Sequence, residues 1–121
     1  MTHALQVLDR KLGERCCDPA AKPAIGTKAA ERLADDLAIL GNPIRLQLLS
    51  VLTHHAGKVC VCDLEAAVPV KQPTVSHHLK LLREAGLIDS ERQGLWAYYY
   101  VKRDVLAALR TRIAAGLSAL G

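Results

Sequence analysis

The run "QPTVSHHLKLLREAGL", from Gln72 to Leu87, has the marks of a short helix with one apolar and one polar face. Pro73 suits the first helical position, where its missing N–H is no loss, and Gly86 is a stop signal. Between them Val75, Leu79, Leu82 and Ala85 recur at helical spacing and are expected to be buried. The polar residues at and around the helix start are Gln72, Thr74, Ser76, His77, His78 and Lys80. These types reach phosphates and base edges, whereas a purely solvating face more often carries Glu and Lys. Just upstream, "DLEAAV" makes about two helical turns, with Asp63 and Glu65 where acids favour a helix N-terminus, and "PVKQ" turns the chain. Two short helices joined by a tight turn, the second amphipathic, are a helix-turn-helix candidate.

Downstream the period changes. Leu87, Ile88 and the run from Leu95 to Val101 are rich in aliphatic and aromatic residues, and Gln93 with Gly94 is expected at the tip of a hairpin between them. A hairpin after a helix-turn-helix is a wing. Upstream, a helix is expected from Thr27, read as its N-cap, with Ala30, Leu33, Leu37 and Leu40 on one face and Gly41 as its end. A second follows, with Asn42 as N-cap, Pro43 at its first position, a stripe of Ile44, Leu48, Val51 and Leu52, and Gly57 as its stop. The C-terminal "RDVLAALRTRIAAGLSAL" carries Val105, Leu106, Leu109, Ile113 and Leu117 on a broad apolar face, more than one small core needs, which predicts a homodimer. The fold class expected is therefore mainly α with a β-hairpin wing. Residues 1–26, where Leu5, Leu8 and Leu12 precede the Pro-rich "CCDPAAKPAIG", are expected to form an arm, and residues 27–121 a winged helix-turn-helix DNA-binding and dimerisation domain.

A chain of 121 residues with 50% apolar content is that of one globular domain. A formal net charge of +4 suits a polyanionic partner, here double-stranded DNA, but discriminates weakly by itself. No stretch reaches the roughly 18 to 20 consecutive apolar residues that span a bilayer, and no signal-peptide pattern opens the chain. A cytoplasmic location without membrane association is the expectation. Thiols stay reduced there, so four cysteines in two tight pairs point to metal binding or redox work before structural disulfides.

One pair lies in "KVCVCDL", Lys58 to Leu64, the other in "ERCCD" as Cys16 and Cys17. The i, i+2 spacing of Cys60 and Cys62 puts both sulfurs on one side only if the backbone is extended, so they can chelate just ahead of the helix or in its first turn. A helix N-terminus is also expected to lower thiol pKa, with Asp63 opposing it. Two thiols do not close a soft-ion site, and Cys16 and Cys17 are the candidates to complete it. Thiolates select soft ions: As(III), Sb(III), Cd(II), Pb(II), Cu(I) or Zn(II).

The order of elements together with "NPIRLQLLSVL", "VCVCDL", "QPTVSHHLKLLREAGLI" and "RQGLWAYYYV" closely resembles the ArsR/SmtB family of metal-sensing repressors, over most of residues 30–120. The resemblance implies a homodimeric winged helix-turn-helix repressor that binds operator DNA when metal-free and leaves it when an inducer binds. In that family "CVCDL" marks arsenite sensors and also the cadmium and lead sensors that add thiols from an N-terminal arm. Glu65 stands where some arsenite sensors carry a third cysteine, so the arm must supply the third donor. As(III) or Sb(III) is the favoured inducer, held by Cys60, Cys62 and at least one of Cys16 and Cys17. Cd(II) or Pb(II) on four thiolates, or a redox-sensing disulfide, are the alternatives. The family's second metal site needs histidines on the C-terminal helix, but Leu106 stands two residues after Asp104 and no histidine follows His78, so that site is predicted absent.

Lys71, Lys80, Arg83 and Arg92 are expected on phosphates, and Gln72, Thr74, Ser76 and His77 near base edges, with His78 also on the DNA-binding helix. His3, His54 and His55 read as surface histidines. An enzyme is not expected: "CC" and "CVC" lack the C-x-x-C spacing of thioredoxin-like sites, and no strand-helix-strand pattern surrounds them.

Overall fold

The computed structural model describes residues 21–121. Five helices and three strands follow in the order α1 (Thr27–Leu40), α2 (Pro43–Thr53), β1 (Val59–Cys60), α3 (Val61–Ala67), α4 (Gln72–Glu84), β2 (Ile88–Gln93), β3 (Trp96–Val101) and α5 (Arg103–Ser118). Helices α3 and α4 are the helix-turn-helix, and β2 with β3 the wing.

Local signals place most boundaries. The Asn42 side chain accepts from the backbone N–H of Ile44 at 2.9 Å and of Arg45 at 3.2 Å, satisfying two donors that the start of α2 leaves without intrahelical partners. Helix α4 ends in a Schellman arrangement: Gly86 N–H donates to Arg83 O and Leu87 N–H to Leu82 O, with Gly86 at φ +80°. Gly94, at φ +65°, and Leu95 form the two-residue turn of the wing, in which Gln93 pairs with Trp96.

Four boundaries differ from the sequence reading. Gly26, extended at φ −70° and ψ 162°, is the N-cap of α1, and Thr27 is already helical. Helix α2 stops at Thr53 rather than at Gly57, because the Arg103 guanidinium reaches across from α5 and takes the carbonyls of Thr53 and His55, both at 3.0 Å. Gln93 belongs to the ladder, so the tip is Gly94–Leu95. Helix α4 begins at Gln72 and closes at Glu84, which leaves Ala85 as a half-buried cap.

The sheet also holds a strand that periodicity did not suggest. Val59 and Cys60 pair antiparallel with Tyr99 and Tyr98, giving the order β1-β3-β2. Two residues carry no periodic pattern, so only the exposed edge of β3 defines this strand. The core is built from α2 (Leu48, Leu49, Leu52), α3 (Leu64), α4 (Val75, Leu79, Leu82), the strand starts Val59 and Ile88, and Leu109 of α5. Each fully buried leucine contributes about 2 kcal/mol relative to its exposed state. Helix α1 buries no residue; it lies along α5, held by a two-pronged pair between Arg112 and Asp36 (3.1 and 3.3 Å) and by close approach of Leu33 to Gly116.

Candidate nucleic-acid interface and thiol pair

Helix α4 turns Val75, His78, Leu79 and Leu82 inward and leaves its other face to solvent. Lys71, Gln72, Thr74, Ser76, His77, Lys80 and Arg83 are all exposed, as is Arg92 on the wing. These cations and short polar groups form one surface running from the start of α4 to the hairpin. Arg83 Nη1 donates to Ser90 Oγ at 3.2 Å, tying the end of α4 to β2.

His78 is the correction to this set. It is 8% exposed, on the core side of the helix, and its Nδ1 lies 3.1 Å from Nη1 of Arg45. The sequence reading counted it with its neighbour as a DNA-facing residue. One step along a helix is about 100°, however, and that step carries His78 from the solvent face to the stripe of Val75 and Leu82. Burial foremost, then the Arg45 charge, then the neighbouring His77 hold the His78 pKa below its ordinary value.

Cys60 ends β1 in extended conformation (φ −63°, ψ 140°) and is the N-cap residue of α3; Cys62 lies in the first turn. That placement lets the two side chains converge, with the sulfurs 3.0 Å apart and the Cys62 thiol donating to Cys60. Cys62 is exposed and Cys60 half-buried, so the pair is open to further donors. The expected lowering of thiol pKa does not hold for Cys62. Its hydrogen bond to Cys60 pushes it up, with partial desolvation and the charges of Cys60 and Asp63 adding, against one Asp63 backbone contact that lowers it. Among the described residues no group of three or more Cys, His, Asp or Glu gathers here or elsewhere as a metal cage. Two soft donors fit half of a soft-ion site. Cys16 and Cys17, the expected remainder, lie outside the described residues, as does His3.

Tyr98 stands opposite Cys60 across the β1–β3 ladder, and Glu91 pairs with Tyr98 from the other side. Lys58 forms an ion pair with Glu91 and sits 6.0 Å from the Tyr100 ring. The alternation of "WAYYYV" signals that Trp96, Tyr98 and Tyr100 share a face; only the tertiary pairing shows that Cys60 shares it too. Arg45 and Arg103, which bind helix ends, gave no sequence signal, because their partners are backbone carbonyls of other segments. His54, with Nδ1 2.7 Å from Ser50 O, closes α2, and His55 is exposed. No described helix is long and apolar enough to cross a membrane.

Comparison with known proteins agrees with this architecture. Residues 42–90 match the family described as "Bacterial regulatory protein, arsR family". A putative arsenical resistance operon repressor of Halobacterium salinarum is 39% identical over 89 residues, 71% of this chain and 71% of that protein. A cadmium resistance transcriptional regulatory protein of Listeria innocua is 36% identical over 64 residues, 53% of each chain. Among solved structures, one described as a possible transcriptional regulator for arsenical resistance superposes with a TM-score of 0.62 at 32% identity, covering 69% of this chain and 84% of the other.

Proposed function

The chain belongs to the arsR family of bacterial regulatory proteins, winged helix-turn-helix transcriptional repressors, and from that premise we propose that it is a metal(loid)-responsive repressor released from operator DNA by As(III) or Sb(III). The observation that carries this reading is the 3.0 Å approach of the Cys60 and Cys62 sulfurs at the start of α3. Cys60 and Cys62 supply two thiolates, and Cys16 or Cys17 of the 1–26 arm supplies the third. Arsenite and antimonite take three soft donors, which is why a thiol pair with one further thiolate suits them.

In this reading the free protein is a homodimer joined through the exposed apolar faces of α1 and α5, where Leu37 and Leu117 are 40% and 42% exposed, with Leu120 just past the end of α5 at 69%. Lys71, Lys80, Arg83 and Arg92 contact phosphates, while Gln72, Thr74, Ser76 and His77 approach base edges. Drawing Cys60 toward the arm strains α3, which supports α4, and β1, which is hydrogen-bonded to the wing. Half-sites about one helical turn apart tolerate little relative movement of two reading heads. A coupling of about 1 to 3 kcal/mol is enough for a roughly 5- to 150-fold loss of DNA affinity, and DNA then weakens ion binding by the same factor.

Titrating Cys→Ser variants with As(III) and Cd(II), with release of labelled DNA as the readout, tests the assignment. Loss of response in C60S and C62S, and in the double variant of Cys16 and Cys17, is expected; an unchanged response without Cys16 and Cys17 removes the arm from the site. A second reading takes Cd(II) or Pb(II) on all four thiolates, favoured by the likeness to a regulator named for cadmium resistance. Stronger release by Cd(II) than by As(III) selects it. A redox switch that forms a disulfide between the Cys16/Cys17 and Cys60/Cys62 pairs is the third, favoured by the exposure of the Cys62 thiol. Release by peroxide but not by arsenite in the presence of reductant selects that one.

A further inference from the structure

The Arg45 side chain, from α2, makes three hydrogen bonds, two to the end of α1 and one to α4. Its backbone sits in the first turn of α2, held by Asn42. From there Nε donates to Ile39 O at 2.8 Å and Nη2 to Ala38 O at 2.9 Å, two carbonyls of the last turn of α1. Carbonyls of a last helical turn have no donor within the helix, and Ala38 O takes only the cap N–H of Gly41 at 3.3 Å, so the guanidinium completes the end of α1. The remaining arm, Nη1, meets Nδ1 of His78 on the inward face of α4 at 3.1 Å.

Chemistry dictates the state of that last contact. A guanidinium has five N–H donors and no acceptor, and it stays charged at any ordinary pH. Nδ1 of His78 must therefore be the acceptor, which requires the neutral ring with its proton on Nε2. A protonated His78 has no lone pair to offer and sets a second cation against Arg45. The groups facing His78 are Arg45 from α2 and His77 from α4, whose ring centroid is 5.3 Å away, and neither is an acid that would stabilise the imidazolium. Asp35 of α1 lines a cavity of about 300 Å³ together with Ala38, Ile39, Arg45 and Leu81, a lining that does not include His78.

His78 shares its helix with Ser76 and His77, the residues that face outward. Its azimuth therefore sets theirs. We propose that Arg45 is a positioning residue for DNA recognition: it locks the rotation of α4 against the end of α1 through neutral His78, and protonating His78 opens the lock. The inference rests on the DNA-binding role of α4 and is independent of which ion, if any, the thiols take. The direction of the pH effect follows from the depressed His78 pKa. The lock is intact above the ordinary histidine range and is lost as pH falls through the lowered value.

The test uses the full chain and a fluorescent duplex selected by the wild-type protein from a random pool, with a scrambled duplex as the non-specific reference. The quantity read is the ratio of specific to non-specific affinity from pH 8 to pH 5.5 at constant salt, because the ratio cancels any change in overall charge that moves both affinities together. Once His78 is protonated, the ratio is expected to fall in the wild type by about fivefold, the low end of ordinary coupling strengths. H78Q, whose amide oxygen can accept from Arg45 but does not titrate, should keep a near-wild-type ratio at pH 8 and hold it on acidification. R45K, which cannot reach three partners, should lower the ratio at pH 8 and bring it close to the wild-type value at low pH. Superimposable pH profiles for wild type and H78Q overturn the proposal whether or not R45K folds, and so does a wild-type ratio at pH 8 in folded R45K.

Discussion

Cys60 stands directly opposite Tyr98 in the β1–β3 ladder, so the residue that opens helix α3 is also hydrogen-bonded into the wing. Trp96 lies two residues from Tyr98 on the same face of β3, and it is the only tryptophan in the chain. Capture of a soft ion at Cys60 should therefore change the Trp96 emission. Addition of As(III) or Cd(II) is expected to shift or quench it in the wild type and to leave C60S unaffected. The same response in C60S would separate the wing from the thiol pair.

Asn42 gives a stability prediction, because both its acceptor contacts lie at the start of α2. Asn42→Ala should cost about 1 kcal/mol. Denaturant unfolding is the measurement, and the midpoint should fall with an unchanged slope. A change in slope instead would mean that the denatured or native ensemble, rather than the cap, had altered.

Gly86 isolates a backbone effect. A Cβ there meets nothing closer than Val105 Cγ1 at 4.0 Å, so the cost of Gly86→Ala comes from φ +80° alone. About 1 to 2 kcal/mol of destabilisation is expected in thermal or chemical unfolding. A neutral substitution would contradict the positive φ.

The buried His78 makes stability depend on pH with a definite sign. Its folded pKa is below the unfolded one, so the unfolded chain binds the proton first as pH falls. Stability should be flat above about pH 7 with respect to this group and decline as pH drops below the ordinary histidine value near 6.5. H78Q should flatten that part of the melting-temperature profile. An identical acid limb in H78Q would assign the loss to other groups.

Salt dependence tests the charged surface. Lys80 and Lys71 are exposed beside the start and middle of α4 and are proposed to touch phosphates. Replacing either with Ala should reduce the slope of log affinity against log salt by about 1 and weaken specific and non-specific duplexes alike. An unchanged slope in K80A would remove that side chain from the phosphate set.

The chain's local chemistry determined a good deal by itself. Asn42 and Pro43 announce α2, Gly86 closes α4, Gly94 turns the wing, and the stripe Val75, Leu79, Leu82 states which face of α4 is buried, since each signal acts within one or two turns of backbone. The cysteine spacing likewise limited the thiol pair to the junction before α3. Tertiary structure alone decided what depends on distant partners. Arg103 ends α2 by taking carbonyls that a lone helix would leave to water. The edge of β3 makes a strand of Val59 and Cys60, and Cys60 can then point its sulfur at Cys62. Arg45 supplies the partner that makes the buried His78 an acceptor. In each case the deciding group lies more than 30 residues away along the chain, where no periodicity reaches, and hydrogen-bond satisfaction in the folded interior supplies the reason.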